Sequence, residues 1–270
     1  YRAKDSIRHN AIAIGGGRVY LIDSPVAEMD RRMLRPSGFK PSDHANGVLV
    51  ALDARTGGTV YTRRGNIYGT LLALSVEPDV LVMTYQFIRF AMSSEFGGRM
   101  SGFRASDGAL LWETATGVGP ENDYPFSSRP IINDGTIYLE PWAWDLETGR
   151  KLDFRFEHSY TCGIVAAARH MLVYRSATLG YLDLDNPGLG TQNYGGIRPG
   201  CWINAIPASG LIVIPEASAG CICMFSIAST IVMQPREARR PWTLYSGVGS
   251  TIPVKHMSLN FGGHGDRRDK

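Results

Sequence analysis

Short apolar runs alternate along this chain with turn signals and never settle into a helical period. One strand type recurs as Arg18-Val-Tyr-Leu-Ile22, Val80-Leu-Val-Met-Thr84, Thr136-Ile-Tyr-Leu139, Met171-Leu-Val-Tyr174 and Leu211-Ile-Val-Ile214. Each run follows a turn signal: Gly15-Gly-Gly17, Glu77-Pro-Asp79, Asn133-Asp-Gly135, Arg169-His170 and Ala208-Ser-Gly210. Measured at Tyr20, Val82, Tyr138, Val173 and Val213, the spacings are 62, 56, 35 and 40 residues. Gly15-Gly-Gly17 lacks the lysine and following helix of a phosphate loop, so it reads as a turn.

A second strand recurs out of phase with the first, as Leu49–Gly57, Met100–Gly108, Ala143–Gly149 and Gly180–Asp185. Its Asp-x-x-Thr-Gly ending suits a tight turn, because aspartate bonds backbone amides and glycine accepts positive φ. A short outer strand follows in three copies: Thr59–Tyr61, Ala109–Trp112 and Arg150–Leu152. Between Cys162 and Ser226 two copies run almost without insertion. Cys162-Gly-Ile-Val-Ala, Met171–Tyr174 and Gly180–Leu184 match Cys201-Trp-Ile-Asn-Ala, Leu211–Ile214 and Cys221–Phe225.

Short strands at this spacing predict an all-β repeat array, and a period near ~40–50 residues is that of a four-stranded propeller blade. Five blades are legible. Insertions at Asp23–Asn46 and Gln86–Arg99 lengthen two intervals and read as surface loops over one face, where binding specificity tends to live. Residues 1–240 carry the repeats. The pattern stops after Gln234–Pro241, and 241–270 reads as further strands or a linker to a following domain. Both chain ends read as cut points.

Composition adds few constraints. With 44% apolar and 20% charged residues the chain folds around a core, and at 270 residues it is long enough for a large one. A net charge of +3 excludes an electrostatic nucleic-acid binder. No apolar run approaches the ~20 residues of a membrane span. Gly-x-Ser-x-Gly, His-Glu-x-x-His and calcium-loop patterns do not occur.

The segments Val50-Ala-Leu-Asp-Ala-Arg-Thr-Gly-Gly-Thr-Val60 and Ser101-Gly-Phe-Arg-Ala-Ser-Asp-Gly-Ala-Leu-Leu-Trp-Glu113 resemble the Ala-x-Asp-x-x-Thr-Gly-x-x-x-Trp repeat. That repeat typifies the pyrroloquinoline-quinone-like propellers, the quinoprotein alcohol dehydrogenase-like superfamily. The resemblance covers roughly Ile7 to Pro235. Gly195–Asn204 and Gly220–Cys223 look like a subgroup of large exported bacterial proteins, which implies a periplasmic or extracellular location. Active members hold the quinone with calcium across an eight-bladed ring and often carry a disulfide between adjacent cysteines. This chain has no Cys-Cys pair and no placeable calcium ligands. Its five units read as a fragment or a reduced-blade version of a ring of up to eight.

The four cysteines are the sharpest candidate chemistry. Cys162 and Cys201 are expected at the start of the innermost strands of adjacent blades. The same ten-residue offset in the other units gives His9, Leu71 and Ser127, a ring near one mouth of a central channel. Cys221 and Cys223, two apart on a strand, share a face and each needs a partner elsewhere. Three readings stand: two disulfides joining Cys162 or Cys201 to Cys221 or Cys223; a thiolate site for zinc or copper(I), aided by His9, His158 or His170; or buried, inert thiols. Glu216, Asp183 and Asp185 fall near strand ends and read as solvated or turn-forming. Trp142 and Trp144 are expected to face one side, one of them exposed for a sugar. Gly262–Asp266 reads as a linker.

The expected function is a non-catalytic binding or assembly scaffold that takes a protein or glycan partner on its loop face, without a cofactor. A quinone-dependent dehydrogenase fragment using pyrroloquinoline quinone and calcium is one alternative. A propeller that binds or acts on polysaccharide is the other.

Overall fold

A computed structural model of the chain describes residues 1–25, 47–85, 87–88, 98–116, 126–156, 163–216 and 229–235. The first sheet lays β1 (Ile7–Gly15), β2 (Arg18–Asp23), β3 (Val48–Asp53) and β4 (Thr59–Arg64) side by side in chain order. The second runs β5 (Leu71–Ser75), β6 (Val80–Thr84), β8 (Arg99–Arg104) and β9 (Leu110–Ala115); β7 (Phe87–Ile88) leaves it and pairs with β10 (Phe126–Ser128). The third holds β11 (Ile131–Asn133), β12 (Thr136–Leu139), β13 (Trp142–Asp145) and β14 (Lys151–Arg155). The fourth holds β15 (Ala166–Ala168), β16 (Met171–Ser176), β17 (Thr178–Asp183) and β18 (Gln192–Tyr194). The described strands of the fifth are β19 (Ile206–Ala208), β20 (Leu211–Ile214) and β21 (Ile231–Met233).

Every neighbouring pair within these sheets is antiparallel. The first strands of successive sheets meet one another in order, β1 with β5, β5 with β11, β11 with β15 and β15 with β19. Small meander sheets whose first strands gather about one line are the blades of a β-propeller. The all-β propeller expected from the repeats is therefore the fold. Each of the five recurring apolar runs is the second strand of its blade.

Alternation along each strand gives a blade two faces. The near face packs on the preceding blade and the far face on the following one. In blade 2 the near face carries Leu72, Leu74, Leu81 and Met83; in blade 3 it carries Ile132, Ile137, Leu139, Trp142 and Trp144. These join the far face of blade 1 in one buried cluster around Tyr20, Ile22, Leu49 and Ala51. Separate clusters lie between blades 3 and 4, around Tyr138, Phe156 and Tyr174, and between blades 4 and 5, around Val173, Leu179 and Ile214. At ~1.5–3 kcal/mol per fully buried aliphatic or aromatic side chain, this packing outweighs any single polar contact in the fold.

The polar repeat closes each blade at its base. Ala54 N–H donates to Gly17 O, Ala105 to Asp79 O, Leu146 to Gly135 O and Leu184 to His170 O, each at 2.9 Å. These bonds tie the turn after the third strand to the turn after the first. Asp53 Oδ1 accepts the Thr56 amide at 2.7 Å and its hydroxyl at 2.8 Å, and Asp145 Oδ1 accepts the same pair from Thr148 at 2.8 and 2.6 Å.

One strand differs from the sequence reading. Cys221–Phe225 was expected to follow Leu211–Ile214 as the next strand, but the neighbour of β20 is Ile231–Met233, with Ile212 opposite Met233. The connection in this blade is longer than in blade 4, where β17 follows β16 after a single residue, so matching by sequence offset fails there.

Candidate functional site

Two regions merit description as sites: the loop-bearing end of the propeller, and the axial segments that contain the cysteines.

Strand direction sorts the connections. The turns after the first strands are short: Gly16–Gly17, Val76–Asp79, Asp134–Gly135, Arg169–His170 and Ser209–Gly210. The turns after the third strands of blades 1 to 3 are also tight. Both kinds lie at one end. The links between second and third strands emerge at the other end and are long in blades 1, 2 and 5, spanning residues 24–47, 85–98 and 215–230. The connections from one blade to the next emerge there too, and β7 from one of these links pairs with β10 from another. Both expected insertions therefore leave from and return to this end, although residues 26–46, 86 and 89–97 themselves lie outside the described residues.

On the axis, Ile164 and Ile203 form a parallel bridge, and Ile164 N–H donates to Trp202 O at 3.1 Å. Each isoleucine stands two residues after a cysteine of the repeat, so the equivalent segments of blades 4 and 5 run side by side. Asn204 pins this junction. Its side chain is buried, accepts Arg175 N–H at Oδ1 (3.0 Å) and donates from Nδ2 to Gly200 O (2.7 Å). Gly163 has φ +92°, and a Cβ there would collide with the Asn204 amide, so the residue after Cys162 has to be glycine for both reasons. Arg175 is itself buried, and Trp202 is exposed.

The sequence candidates distribute unevenly over this frame. Cys201 is buried, in the bend before β19 rather than at the start of the innermost strand. Cys162, Cys221, Cys223 and His158 lie outside the described residues. His9 is in β1, Leu71 opens β5 and Ser127 is in β10, paired with β7 away from the blade sheets. The ten-residue offset slips at Leu71 because the turn after β5 is two residues longer than those after β1, β11, β15 and β19. His170 is at the opposite end of blade 4 from the cysteine segment, with Nδ1 3.1 Å from the exposed Asp185 carboxylate. It is a turn residue there.

The carboxylates are likewise occupied by turns. Asp183 accepts the Asp185 amide at 2.9 Å and Asn186 Nδ2 at 3.0 Å, and the Asn186 contact leads in holding its carboxyl below the ordinary aspartate range. Asp23, missed by the sequence reading, is buried. Burial alone would raise its pKa, but the Lys4, Asp5 and Ser6 amides and the Tyr1 hydroxyl together hold it low. Its own partial burial, with the same contact second, pushes the Tyr1 hydroxyl up to about 12. Glu216 donates its amide to Thr230 Oγ1 at 3.2 Å.

Neither tryptophan of the expected pair is fully exposed. Both lie on the near face of blade 3, against blade 2: Trp144 is fully buried, and Lys151 Nζ caps Trp142 at 3.4 Å from the ring centroid. Among the described residues no three His, Cys, Asp or Glu side chains converge to hold a metal ion. Among them, too, no helix is long and apolar enough to cross a membrane.

No protein-family description and no curated protein matches the sequence. Solved structures similar to it include BamB from Moraxella catarrhalis, at 16% identity and a TM-score of 0.48, covering 81% of this chain and 57% of that one. The Swd1 β-propeller domain from Myceliophteria thermophila is similar at 10% identity and a TM-score of 0.47, covering 79% and 65%. Quinohemoprotein alcohol dehydrogenase from Comamonas testosteroni is similar at 13% identity and a TM-score of 0.44, covering 78% and 40%. The chain thus spans a little over half the length of the BamB structure.

Proposed function

We propose that the chain is a non-catalytic binding or assembly module that works outside the cytoplasm and takes a protein partner on its loop-bearing end. One observation carries this reading: the long connections of blades 1, 2 and 5 leave the same end, while the turns after the first strands, and after the third strands of blades 1 to 3, are tight at the opposite end. A rigid scaffold with its variable loops on one side is the usual form of a recognition surface. The location rests on the likeness of the Gly195–Asn204 segment to exported bacterial repeat proteins.

The direct test is to incubate the purified chain with pyrroloquinoline quinone and calcium. The expected result is no quinone absorbance after desalting and no dye-linked oxidation of primary alcohols. Turnover above the cofactor alone overturns the reading in favour of a dehydrogenase fragment. Specific retention on a glycan array would replace the protein partner with a carbohydrate.

A further inference from the structure

Where the loop-bearing end meets the outer strands of blades 1 and 2, one arginine is held flat on an aromatic ring. Arg99 opens β8, directly after the 85–98 link, and its guanidinium carbon lies 3.8 Å from the centre of the Tyr68 ring. Tyr68 is buried in the link between the two blades and stacks on Tyr85 at 5.1 Å. Burial pushes the Tyr85 hydroxyl up to about 12, and the Arg99 cation beside it works the other way. A polar chain holds the inner edge of the cation. Arg99 Nη1 donates to Asn66 Oδ1 at 3.0 Å, and Asn66 Nδ2 donates to Glu113 Oε2 at 2.6 Å. Ser101 Oγ donates to the same carboxylate oxygen at 3.1 Å and lies 2.7 Å from the Tyr68 hydroxyl. Asn66 keeps its place at φ +57°, a left-handed backbone that side chains other than glycine seldom adopt.

These contacts orient the guanidinium without saturating it. Among the described residues no acceptor meets Nε or Nη2, and the side chain is 29% exposed. Glu113 neutralises it only in part. Its Oε2 takes two donors of the network, and its Oε1 stands 3.8 Å from Arg99 Nη1, a long ion pair at a partly exposed site. Arg64 ends β4 two residues before Asn66 and is exposed. Two arginines thus share this rim with one carboxylate among the described residues. Both blades are flanked here by the links that join them, so the rim does not depend on where the chain starts or stops.

We infer that this rim is where the partner presents an acidic segment: a carboxylate of that segment accepts from the outward N–H groups of Arg99, and Arg64 adds charge beside it. The inference rests on the protein-partner reading and names the chemistry of that partner. Stacking on Tyr68 and the bond to Asn66 fix the side chain before docking, so little of its rotamer freedom is left to lose. A guanidinium presents its donors in one plane, which matches a carboxylate as a lysine ammonium does not. The neighbouring Glu113 favours a singly charged carboxylate over a doubly charged phosphate, because its repulsion grows with the charge of the ligand.

The test uses a rhodamine-labelled hexaglutamate peptide, read by fluorescence anisotropy against the purified chain at low ionic strength, with hexaglutamine as the control. The wild type should bind hexaglutamate and not the control. Arg99→Gln and Arg99→Lys should each weaken binding about tenfold, the range of a charge-assisted hydrogen bond. Glu113→Gln should bind about threefold tighter, since it removes the competing charge. Circular dichroism melts check the fold of each variant; if Arg99→Gln does not fold, Arg99→Lys and the gain in Glu113→Gln decide the outcome. No binding by the wild type, equal binding by Arg99→Lys, or a Glu113→Gln variant no tighter than the wild type overturns the inference. Stronger competition by inorganic phosphate than by acetate overturns the carboxylate assignment. None of these failures touches the non-catalytic reading, which the quinone turnover assay decides by itself.

Discussion

Blades 1, 2 and 3 are stapled to one another by ring donors, whereas blade 3 meets blade 4 along its outer strands through packed phenylalanine, tyrosine and leucine side chains. At the first junction Tyr61 Oη–H donates to Ala105 O at 3.0 Å, and Arg18 Nη1 donates to Ala105 O and Ser106 O at 3.2 and 2.7 Å. At the second, Trp112 Nε1–H donates to Leu146 O at 3.0 Å. The ring in each case lies over a turn glycine of the next blade, Tyr61 over Gly108 and Trp112 over Gly149, where a Cβ would come within 2.7 and 2.5 Å of ring carbons. Blade 4 has no glycine at the matching turn, which reads Leu184-Asp185-Asn186. In place of a ring donor the outer strand of blade 3 has phenylalanines: Phe154 packs with Tyr138 at 5.3 Å and Phe156 at 6.0 Å, and Phe156 with Tyr174 at 5.8 Å. Ring donor and turn glycine are lost together, which is what a two-part device requires. Asn133 Nδ2 supplies the polar tie instead, to Ala168 O and Arg169 O at the inner turn.

The largest effect expected on this contrast is from Trp112→Ala. Loss of a large buried ring costs ~3–5 kcal/mol in core series, and chemical denaturation should show it as a lower midpoint. An unchanged midpoint would mean that the staple contributes nothing. Gly149→Ala should cost more than Gly135→Ala. Both positions have positive φ, 67° and 75°, but only Gly149 has a ring against its Cβ position. The left-handed conformation costs an alanine ~1 kcal/mol at either site, so equal losses would show that the Trp112 contact is not tight.

Tyr61→Phe removes the hydroxyl donor and keeps the ring, for an expected ~1 kcal/mol. No loss there would leave the polar ties of that junction to Arg18 and to Arg63, whose Nη1 donates to Gly108 O at 3.0 Å. The smallest effect is on acidification. The Thr148 hydroxyl and amide hold the Asp145 carboxyl below its ordinary 3.8. Its turn therefore adds stability that is complete above that value and fades as the pH falls through the lower folded-state pKa. Asp145→Asn should flatten this acid limb slightly in pH-dependent melts. An unaltered limb would show that the turn does not couple to folding.

Much of this contrast was hidden in the sequence. Trp112 stands four residues after Gly108 and Tyr61 four after Gly57, so both matched the repeat. The same count in blade 3 lands on Asp153 and misses Phe154. The pairing explains why: from Trp142–Arg155 to Trp144–Lys151 the outer strand skips two residues, against one between Ala51–Tyr61 and Leu52–Thr59. A bulge of one more residue shifts the aromatic by one place, and only the register reveals it. The missed strands have similar causes. β18 follows a turn without the Thr-Gly signal, and β7 and β10 are too short to stand out until they pair. At the axis, the repeat phase of Cys162 and Cys201 marked segments that do lie together. The role of Asn204 was not legible, because its partners Arg175 and Gly200 are a blade and a loop away.

The alternation of apolar residues and the Asp-x-x-Thr-Gly turns by themselves determined that this chain makes small antiparallel sheets, and which run is the second strand of each. Those signals are local: period-two alternation and turn chemistry act over a few residues. Tertiary structure alone decided which faces mate, which aromatic finds a carbonyl in the next blade, and that the long connections share one end. These depend on strand register and on contacts between residues far apart in the chain, which no window of the sequence contains.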